Sequence, residues 1–387
     1  MKWFDSELKE LKKKNLLREL TCIESSSGSK ISINGQTCIN FSSNDYLNLS
    51  SHPVIVKTAM KALKEYGLGS GASRLLSGTY SPHVKLEERI ANFKKTPAAL
   101  VFNTGYTANT GIIPAISGID TLIFSDELNH ASIVDGIRLS KAEAEIYRHR
   151  DLNHLESLLR KSLKRVNIKR RLIITDTVFS MDGDIVPLED LVFLAKKYHT
   201  LLMIDDAHGT GVLGKQGRGA LEHFSIPVAD YIIQMGTLSK AVGCYGAFAA
   251  GSKELVEVLI SKARGFIYST SLPPSVAEAC IKAIDIVEFK SAQRRKRLWK
   301  NRQRLKEGLK SLGYDTLNSG TPIIPVMVGE TKSALRIGNY LFKEKIFAPA
   351  IRPPTVPEGK CRVRFSVTAA HTDEDIDRVL ESLNNFR

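Results

Sequence analysis

The chain has 387 residues, of which 43% are hydrophobic and 25% are charged, and its formal net charge is +14. This length allows a large core and more than one domain, the composition is typical of a soluble globular protein, and no apolar run approaches the roughly 20 residues needed to span a bilayer. The Lys and Arg residues are spread over many short clusters, so we interpret them as solvated helix faces, with an anionic substrate as a further possibility, and expect no nucleic-acid and no membrane partner.

The first twenty residues, MKWFDSELKELKKKNLLREL, predict an amphipathic helix. They contain no apolar core of the kind found in signal peptides. The five cysteines are scattered and lack Cys-x-x-Cys spacing, which predicts free thiols and no disulfide framework, zinc site or other metal site. These features together predict a cytoplasmic protein.

From about residue 98 to 251, short apolar runs alternate with helical patterns. The strand candidates are AALVFNT, DTLIFSD, AEIYRH, RRLIITDTVF, TLLMIDDAH, DYIIQMGT and YGAFAAG. Strands that alternate with helices predict an α/β fold with a mostly parallel sheet of seven strands and helices on both faces. In such sheets the ligand binds at the carboxyl ends of the strands.

The part of the chain after residue 274 has a different pattern. Residues 274–313 predict long helices with a break near 289–291, and the strand and helix candidates after them predict a smaller α+β domain. The later candidates are PIIPVMVG, TKSALRIGNYLFKEKI, KCRVRFSVTAAH and TDEDIDRVLESLNNF. We therefore expect an N-terminal arm (1–48), a large ligand-binding domain (49–285) and a small C-terminal domain (286–387).

The segment LLMIDDAHGTG combines a strand end with two polar side chains. Asp205 ends the apolar run, and His208 follows three residues later in a glycine-rich turn. A carboxylate at this position could hold a protonated ring nitrogen, and an imidazole could donate to a phenolic oxygen. An aspartate that caps the following turn is the structural alternative, and the motif alone leaves both interpretations open.

A single lysine, Lys240, lies in the apolar and glycine-rich stretch IIQMGTLSKAVGCYGAFAAG. The structural alternative is a surface loop that carries a lysine by chance. However, a partly buried lysine amine forms Schiff bases with carbonyl compounds, and Thr237 and Ser239 just before it suit a phosphate. An aspartate for a pyridinium nitrogen and a lysine for a Schiff base are together what pyridoxal phosphate (PLP) requires.

Two further segments could complete such a site. FNTGYTANTG places Gly105 and Tyr106 after a strand, at the start of a helix whose N-terminus favours anions. SDELNHAS places His130 after the next strand, where its flat ring could stack on a cofactor ring, although a lone histidine is often structural. Asp176 and Ser180 also lie at or just past a strand end, which is where a ligand is expected.

Eight segments, distributed over nearly the whole chain, are similar to those of a known enzyme family. They are FSSNDYLNLS, GSGASRLLSGT, FNTGYTANTG, NHASIVDG, DTVFSMDGD, IDDAHGTGVLGKQGRG, GTLSKAVG and YSTSLPPS. Together they resemble the α-oxoamine synthases, a family of fold-type I PLP-dependent enzymes. The resemblance implies a fold-type I transferase whose large domain binds PLP, a homodimer with active sites at its interface, and the decarboxylative condensation of an amino acid with an acyl-CoA.

The resemblance also implies four catalytic residues. Lys240 would hold the cofactor through its amine and then act as the base, and Asp205 would keep the ring nitrogen protonated. His130 would stack on the ring and meet the substrate, while His208 would touch the ring's oxygen side.

Further cofactor contacts are implied by the same resemblance. Ser180 would lie beside His208 at the oxygen side of the ring. Thr237 and the backbone of Gly105 and Tyr106 would face the phosphate.

The segment AIRPPTVPEG resembles the branch of the family that condenses L-alanine with a pimeloyl thioester in biotin synthesis. For that branch the resemblance implies that Arg18, Arg352 and Thr355 lie near the acyl chain, whose far end carries a carboxylate. It implies that Arg364 binds the carboxylate of the amino acid, which suits the forked guanidinium group.

Several questions stay open at this point. Asn48 stands where the family often has Gly, and Asp176 stands where some relatives have Glu, so no firm role follows for either. The branches that use glycine or serine, an aminotransferase of the same fold type, and a basic binding protein without catalysis all remain alternatives. The sequence also leaves open whether the acyl group arrives on CoA or on an acyl carrier protein.

Overall fold

The structure, a computed structural model, describes residues 2–386, so the first residue of the predicted N-terminal helix and the last residue of the predicted C-terminal domain lie outside it. The helices are α1 Lys2–Lys13, α2 Pro53–Tyr66, α3 Ser81–Lys94, α4 Gly105–Ile116, α5 Ala131–Ser140, α6 Leu152–Ser162, α7 Leu188–Lys197, α8 Ala220–His223, α9 Lys253–Lys262, α10 Arg264–Ile267, α11 Pro274–Asp285, α12 Ala292–Ser311, α13 Thr331–Lys343 and α14 Asp373–Asn385. A π-helical turn, Ile286–Lys290, joins α11 to α12, and this is the break predicted in the long helical region.

The strands form three sheets. They are β1 Lys30–Ile33, β2 Gln36–Asn40, β3 Ala98–Phe102, β4 Thr121–Asp126, β5 Glu143–Tyr147, β6 Arg170–Asp176, β7 Leu201–Asp205, β8 Ile232–Thr237, β9 Ala247–Gly251, β10 Ile323–Gly329, β11 Ile346–Phe347, β12 Ala350–Ile351 and β13 Cys361–Ser366. None of the described helices is both long enough and apolar enough to cross a bilayer.

The largest sheet has the order β3-β9-β8-β7-β6-β4-β5. β9 runs antiparallel to both of its neighbours, and the pairs among β8, β7, β6, β4 and β5 are parallel. The predicted α/β class and the mostly parallel seven-stranded sheet are therefore confirmed. Six of the seven strand candidates contain one of these strands, and AEIYRH overlaps β5, which begins one residue earlier at Glu143.

The core of this sheet is a layer of aliphatic side chains that packs against α4 and α5. Every residue of β4 and β8 is buried, as expected for strands that are covered on both faces. Buried members of the layer include Leu100, Ile112, Ile113, Ile123, Ile133, Ile174, Met203, Ile233 and Met235. Because this packing fixes the register of the parallel strands, it also fixes which polar residues meet at their carboxyl ends.

The N-terminal helix is shorter than the pattern of residues 1–20 predicts. α1 ends at Lys13, because Asn15 adopts a left-handed φ of 56° and the amide of Leu16 turns back to the carbonyl of Leu11 at 2.8 Å. The last part of the predicted helix, residues 14–20, therefore lies outside the helix.

The chain divides into two compact units. The first contains the residues up to 48, the loop Met181–Asp184 and the residues from 294 onward; the second contains Leu49–Ser180 and Ile185–Gln293. The seven-stranded sheet belongs to the second unit, and the two three-stranded sheets, β1-β2-β11 and β10-β13-β12, belong to the first. The boundaries predicted at 48/49 and 285/286 stay a prediction of domain organisation.

Lys94 of α3 and Asp206, just after β7, form an ion pair with almost no solvent contact. Nζ lies 2.9 Å from Oδ2, and the two side chains are 1% and 0% exposed. Nζ also donates to the carbonyl of Arg218 at 2.5 Å, and the other carboxylate oxygen accepts from Thr177 Oγ1 at 2.8 Å and from the amide of Ala220 at 3.2 Å. The pair thus anchors the turn that follows β7.

Replacing Lys94 with Met should lower the free energy of unfolding by about 3–5 kcal/mol, because the Asp206 carboxylate would stay buried without its cation. Denaturant titration followed by circular dichroism measures the change. The adjacent Lys95 is exposed, so Lys95→Met is a matched control and should change the free energy by less than about 0.5 kcal/mol. Equal, small losses in the two variants would show that the pair does not anchor the turn.

Candidate active site

The carboxyl ends of three adjacent parallel strands of the second unit carry polar side chains. Asp176 ends β6, Asp205 ends β7 and Thr237 ends β8, and all three are buried. Asp176 and Asp205 are direct register partners. These residues therefore lie at one edge of the sheet, the edge at which the sequence predicts a ligand.

Asp205 is a buried carboxylate that is held by neutral donors. It is 4% exposed, its Oδ2 accepts from Asn109 Nδ2 at 2.7 Å and its Oδ1 accepts from the amide of Ala207 at 3.0 Å. Among the described residues no Lys, Arg or His nitrogen lies within 4.0 Å of this carboxylate. A buried carboxylate in this state attracts a cationic group such as a protonated ring nitrogen.

Lys240 lies in the turn that follows β8, with its Nζ 2.9 Å from Nε2 of the buried His208. The turn closes through the amide of Gly243, which donates to the carbonyl of Lys240 at 2.8 Å. Gly243 has a φ of 72°, and a Cβ there would lie 2.6 Å from the backbone of Leu49 and Ser50. Only glycine satisfies both conditions, so it fixes the path of the segment that carries the lysine.

The hydroxyl of Thr237 makes two contacts within the same turn. Its Oγ1 donates to the carbonyl of Gly246 at 2.9 Å and accepts from the amide of Ser239 at 3.1 Å. Ser239 Oγ donates to the same carbonyl at 3.1 Å. The two hydroxyl groups therefore brace the turn, and a role of Thr237 toward a phosphate stays a prediction.

The N-terminus of α4 presents backbone amides. Thr104 caps this helix, since its Oγ1 accepts from the amide of Thr107 at 3.0 Å. Within residues 2–386 the amides of Gly105 and Tyr106 have no protein acceptor, so they can bind an anion. The Tyr106 side chain donates to the Asp135 carboxylate, and this hydrogen bond raises the pKa of the phenol.

His130 caps α5 and is tied to Asp176. Its amide donates to Asp176 Oδ2 at 2.7 Å, and its ring keeps solvent exposure. Partial burial lowers the pKa of His130, as does the Lys240 ammonium, whereas the Asp205 carboxylate opposes this shift. Burial, reinforced by the charge of Asp205, raises the pKa of Asp176 well above its ordinary value.

Two polar residues of this region were missed in the sequence. Asn109 of α4 donates to Asp205, and it also donates to Ser132 Oγ of α5 at 2.9 Å. Ser132 Oγ in turn lies 2.7 Å from Nδ1 of His130. The sequence contained one signal that could have identified Asn109. It is a polar residue two positions before the apolar run GIIPAI, in a helix that must face the core.

Ser180 is partly buried and lies in the turn that follows Val178, a residue that forms an isolated β-bridge with Ile185. It is the last residue of its segment in the second unit. A role of Ser180 toward the cofactor stays a prediction.

In the first unit, three of the predicted substrate-binding residues lie together. Arg18 donates to Thr355 Oγ1 at 3.1 Å and to the carbonyl of Pro353 at 3.3 Å. Arg352 donates to the carbonyls of Asn15 and Leu17, the latter at 2.7 Å. Partial burial, reinforced by the neighbouring Arg18, lowers the pKa of Arg352. Arg352 thus attaches the segment that carries Arg18 to the loop that carries Thr355.

Arg364 of β13 lies elsewhere in the same unit. It is 9% exposed and donates to Ser366 Oγ at 2.8 Å and to Asn44 Oδ1 at 3.2 Å. Asn48 follows Asn44 in the same loop and has a φ of 53°. Glycine and asparagine both adopt this left-handed conformation, so the exchange of Gly for Asn48 is compatible with the local turn.

Comparison with known sequences gives close relatives over almost the full length. The profile of the family described as aminotransferase class I and II matches residues 36–383. An 8-amino-7-oxononanoate synthase from Geobacter sulfurreducens is 48% identical over 97% of this chain and 96% of its own length. The 8-amino-7-oxononanoate synthase 1 of Bacillus subtilis is 44% identical over 97% and 95%.

Comparison with solved structures gives the same fold. A serine palmitoyltransferase from S. paucimobilis, solved with a bound PLP–myriocin aldimine, has a TM-score of 0.92 at 30% identity and covers 99% of this chain and 96% of its own. The 8-amino-7-oxononanoate synthase from Francisella tularensis has a TM-score of 0.78 at 31% identity, with 90% and 97% covered.

Proposed function

The chain belongs to the aminotransferase class I and II family and, among its fold-type I PLP enzymes, to the 8-amino-7-oxononanoate synthases, and from this premise we propose how its residues carry out the reaction. The reaction is the PLP-dependent condensation of L-alanine with a pimeloyl thioester, which gives 8-amino-7-oxononanoate for biotin synthesis and releases CO₂ and the free thiol. Relatives of this name match nearly the whole chain at 44–48% identity, which does not favour the glycine- or serine-using branches.

The observation that carries the assignment of the site is Asp205, a buried carboxylate that, in the part of the chain that the structure describes, accepts hydrogen bonds only from neutral donors. When bound, PLP supplies a carbonyl that combines with amines and a pyridinium ring that withdraws electrons from the substrate α-carbon. The residues fit this group, because Asp205 would hold the ring nitrogen as a cation and Lys240 offers an amine in the turn after the next strand. His130 would stack on the ring, and His208 and Ser180 would meet its oxygen side.

The phosphate of the cofactor would bind at the N-terminus of α4. The amides of Gly105 and Tyr106 lack protein acceptors within the described range, and the helix dipole favours an anion there. Thr237 would add its hydroxyl, which already donates to Gly246, so a phosphate contact requires that hydroxyl to rotate.

Proton transfer is assigned to Lys240. Its amine lies 2.9 Å from His208 Nε2. We propose that Lys240 Nζ takes the α-proton of alanine and that the hydrogen bond with His208 orients the amine.

The two carboxylates of the substrates need cationic partners. Arg364 would bind the carboxylate of alanine, since its neutral acceptors Ser366 and Asn44 fix the plane of the guanidinium group. Arg18 and Thr355 would bind the far carboxylate of the pimeloyl chain, and Arg352 would line the same end. Within residues 2–386, no carboxylate lies within 4.0 Å of Arg18, which supports its availability for an anion.

A homodimer and a cytoplasmic location complete the proposal. Helix α2 exposes four large apolar side chains, Val54, Val56, Met60 and Leu63, and exposed apolar clusters are common at interfaces between subunits. The cysteines lack Cys-x-x-Cys spacing, which supports a reducing compartment.

Replacing Lys240 with Ala should abolish covalent attachment of the cofactor and lower turnover by at least about 10²–10⁴-fold, because both the anchor and the base are lost. Borohydride reduction followed by peptide mass mapping should locate the pyridoxyl group on Lys240 in the wild type and nowhere in the variant. Lys253→Ala, an exposed lysine of the same unit, is the control and should behave as the wild type does. A pyridoxyl group on another lysine would refute the assignment.

Replacing Arg18 with Gln or Thr355 with Val should lower kcat/KM for pimeloyl-CoA by about 10–150-fold, the value of one charge-assisted hydrogen bond. With heptanoyl-CoA, which has the same chain length but no far carboxylate, the loss should be much smaller. Lys13→Gln removes an exposed cation from the end of α1 and should affect neither substrate.

Steady-state kinetics with both thioesters give the comparison. Equal losses with the two substrates would mean that Arg18 and Thr355 support the local structure only, and would refute their role in recognising the carboxylate.

A further inference from the structure

A continuous chain of hydrogen bonds connects Asp205 to the ring of His130. Asp205 Oδ2 lies 2.7 Å from Asn109 Nδ2, which lies 2.9 Å from Ser132 Oγ. Ser132 Oγ lies 2.7 Å from His130 Nδ1. Asn109 and Ser132 therefore connect Asp205, which would contact the nitrogen of the cofactor ring, to His130, which would contact the face of that ring.

The chemistry of the groups sets the direction of each bond in this chain. A carboxylate only accepts, so the Asn109 amide must present its NH₂ group to Asp205, and its second hydrogen is donated to Ser132 Oγ. The Ser132 hydroxyl hydrogen then remains for His130 Nδ1. The amide of Ser132 also donates to Nδ1, at 3.2 Å, so Nδ1 must be an acceptor and the neutral ring carries its proton on Nε2.

Asn109 and Ser132 are both buried, and packing alone does not explain why polar residues occupy these two positions. Asn109 is 0% exposed and Ser132 is 1% exposed, and Asn109 Oδ1 is buried without a hydrogen-bond partner in the described part of the chain. An unsatisfied buried oxygen is costly, and a leucine of similar size would avoid that cost. Asn109 thus uses only the NH₂ group of its amide, and the hydrogen bonds of that group are what leucine could not supply.

The close contact of α4 and α5 holds the chain of bonds in place. A Cβ on Gly136 of α5 would lie 2.8 Å from the carbonyl oxygen of Asn109, a distance that real Cβ atoms do not tolerate. Glycine at this position therefore lets the two helices approach closely enough for Asn109 to reach Ser132.

We propose that Asn109 and Ser132 are positioning residues for the reaction: they orient the carboxylate of Asp205 toward the cofactor ring nitrogen and fix His130 in the tautomer whose Nε2 carries the proton. The proposal rests on the function proposed above, because it assigns Asp205 and His130 their partners in that reaction. It predicts that loss of either residue changes the state of His130 as well as turnover, whereas a purely structural role would change stability alone.

The experiment compares Asn109→Leu and Ser132→Ala with two matched controls in the same helices. Thr110→Ala removes a hydroxyl that, among the described residues, bonds only to carbonyls of its own helix, α4, and Ser140→Ala removes a buried hydroxyl of α5. Protein labelled with ¹⁵N-histidine is recorded by NMR with and without PLP, and His130→Gln identifies the signals. The ¹⁵N shifts distinguish a protonated ring nitrogen from a bare one.

In the wild type and both controls, His130 should show a bare Nδ1 and a protonated Nε2. In Ser132→Ala the ring should show a mixture of tautomers. In Asn109→Leu, kcat should fall by about 10-fold or more, the value of a hydrogen bond to a charged group, while KM for alanine changes little.

Two results would overturn the proposal: wild-type His130 with its proton on Nδ1, or variants that lose thermal stability while they keep wild-type kcat and the wild-type His130 signals. The NMR arm without PLP reads the tautomer directly. A wild type that binds no PLP at Lys240 would therefore refute the proposed function, while the tautomer result would still decide the inference.

Discussion

Asp205 and Asp206 are adjacent in the sequence and both carboxylates are buried, but within residues 2–386 only Asp206 is paired with a cation. Lys94 neutralises Asp206 at 2.9 Å, whereas Asp205 accepts from the amide groups of Asn109 and Ala207. A buried charge without a counter-ion costs several kcal/mol, and a ligand cation that binds there relieves this cost. The ion pair of Asp206 therefore stabilises the turn after β7, and Asp205 is the carboxylate that we propose for a pyridinium group.

The neighbouring carboxyl group supports this arrangement. Burial, reinforced by the charge of Asp205, raises the pKa of Asp176 well above its ordinary value. Asp176 accepts from the amide of His130, a bond that a protonated carboxyl group also makes. Asp176 thereby holds the start of α5 beside Asp205, the residue that we propose as the partner of the ring nitrogen.

Much of this account could be predicted from the sequence, because strand periodicity and the strand-end rule depend on local patterns. The positions of Asp205, Thr237 and Lys240 at or just past strand ends were predicted in this way, and their roles stay predictions. Asn109 and Ser132 were not predicted, since each looks like an ordinary helix residue until the packing of α4 on α5 brings them together. Arg352 contacts the carbonyls of Asn15 and Leu17, which lie more than 300 positions away in the sequence. No local sequence pattern predicts a contact over that separation.

The central claim is that this chain joins alanine to a pimeloyl group. The most direct measurement offers the purified, PLP-loaded protein equal amounts of alanine, glycine and serine together with pimeloyl-CoA or pimeloyl-acyl carrier protein, and identifies the products by mass spectrometry. The account predicts 8-amino-7-oxononanoate, formed from alanine with release of CO₂, as the main product with at least one of the two donors. A main product built from glycine or serine, or no condensation product with either donor, would contradict it.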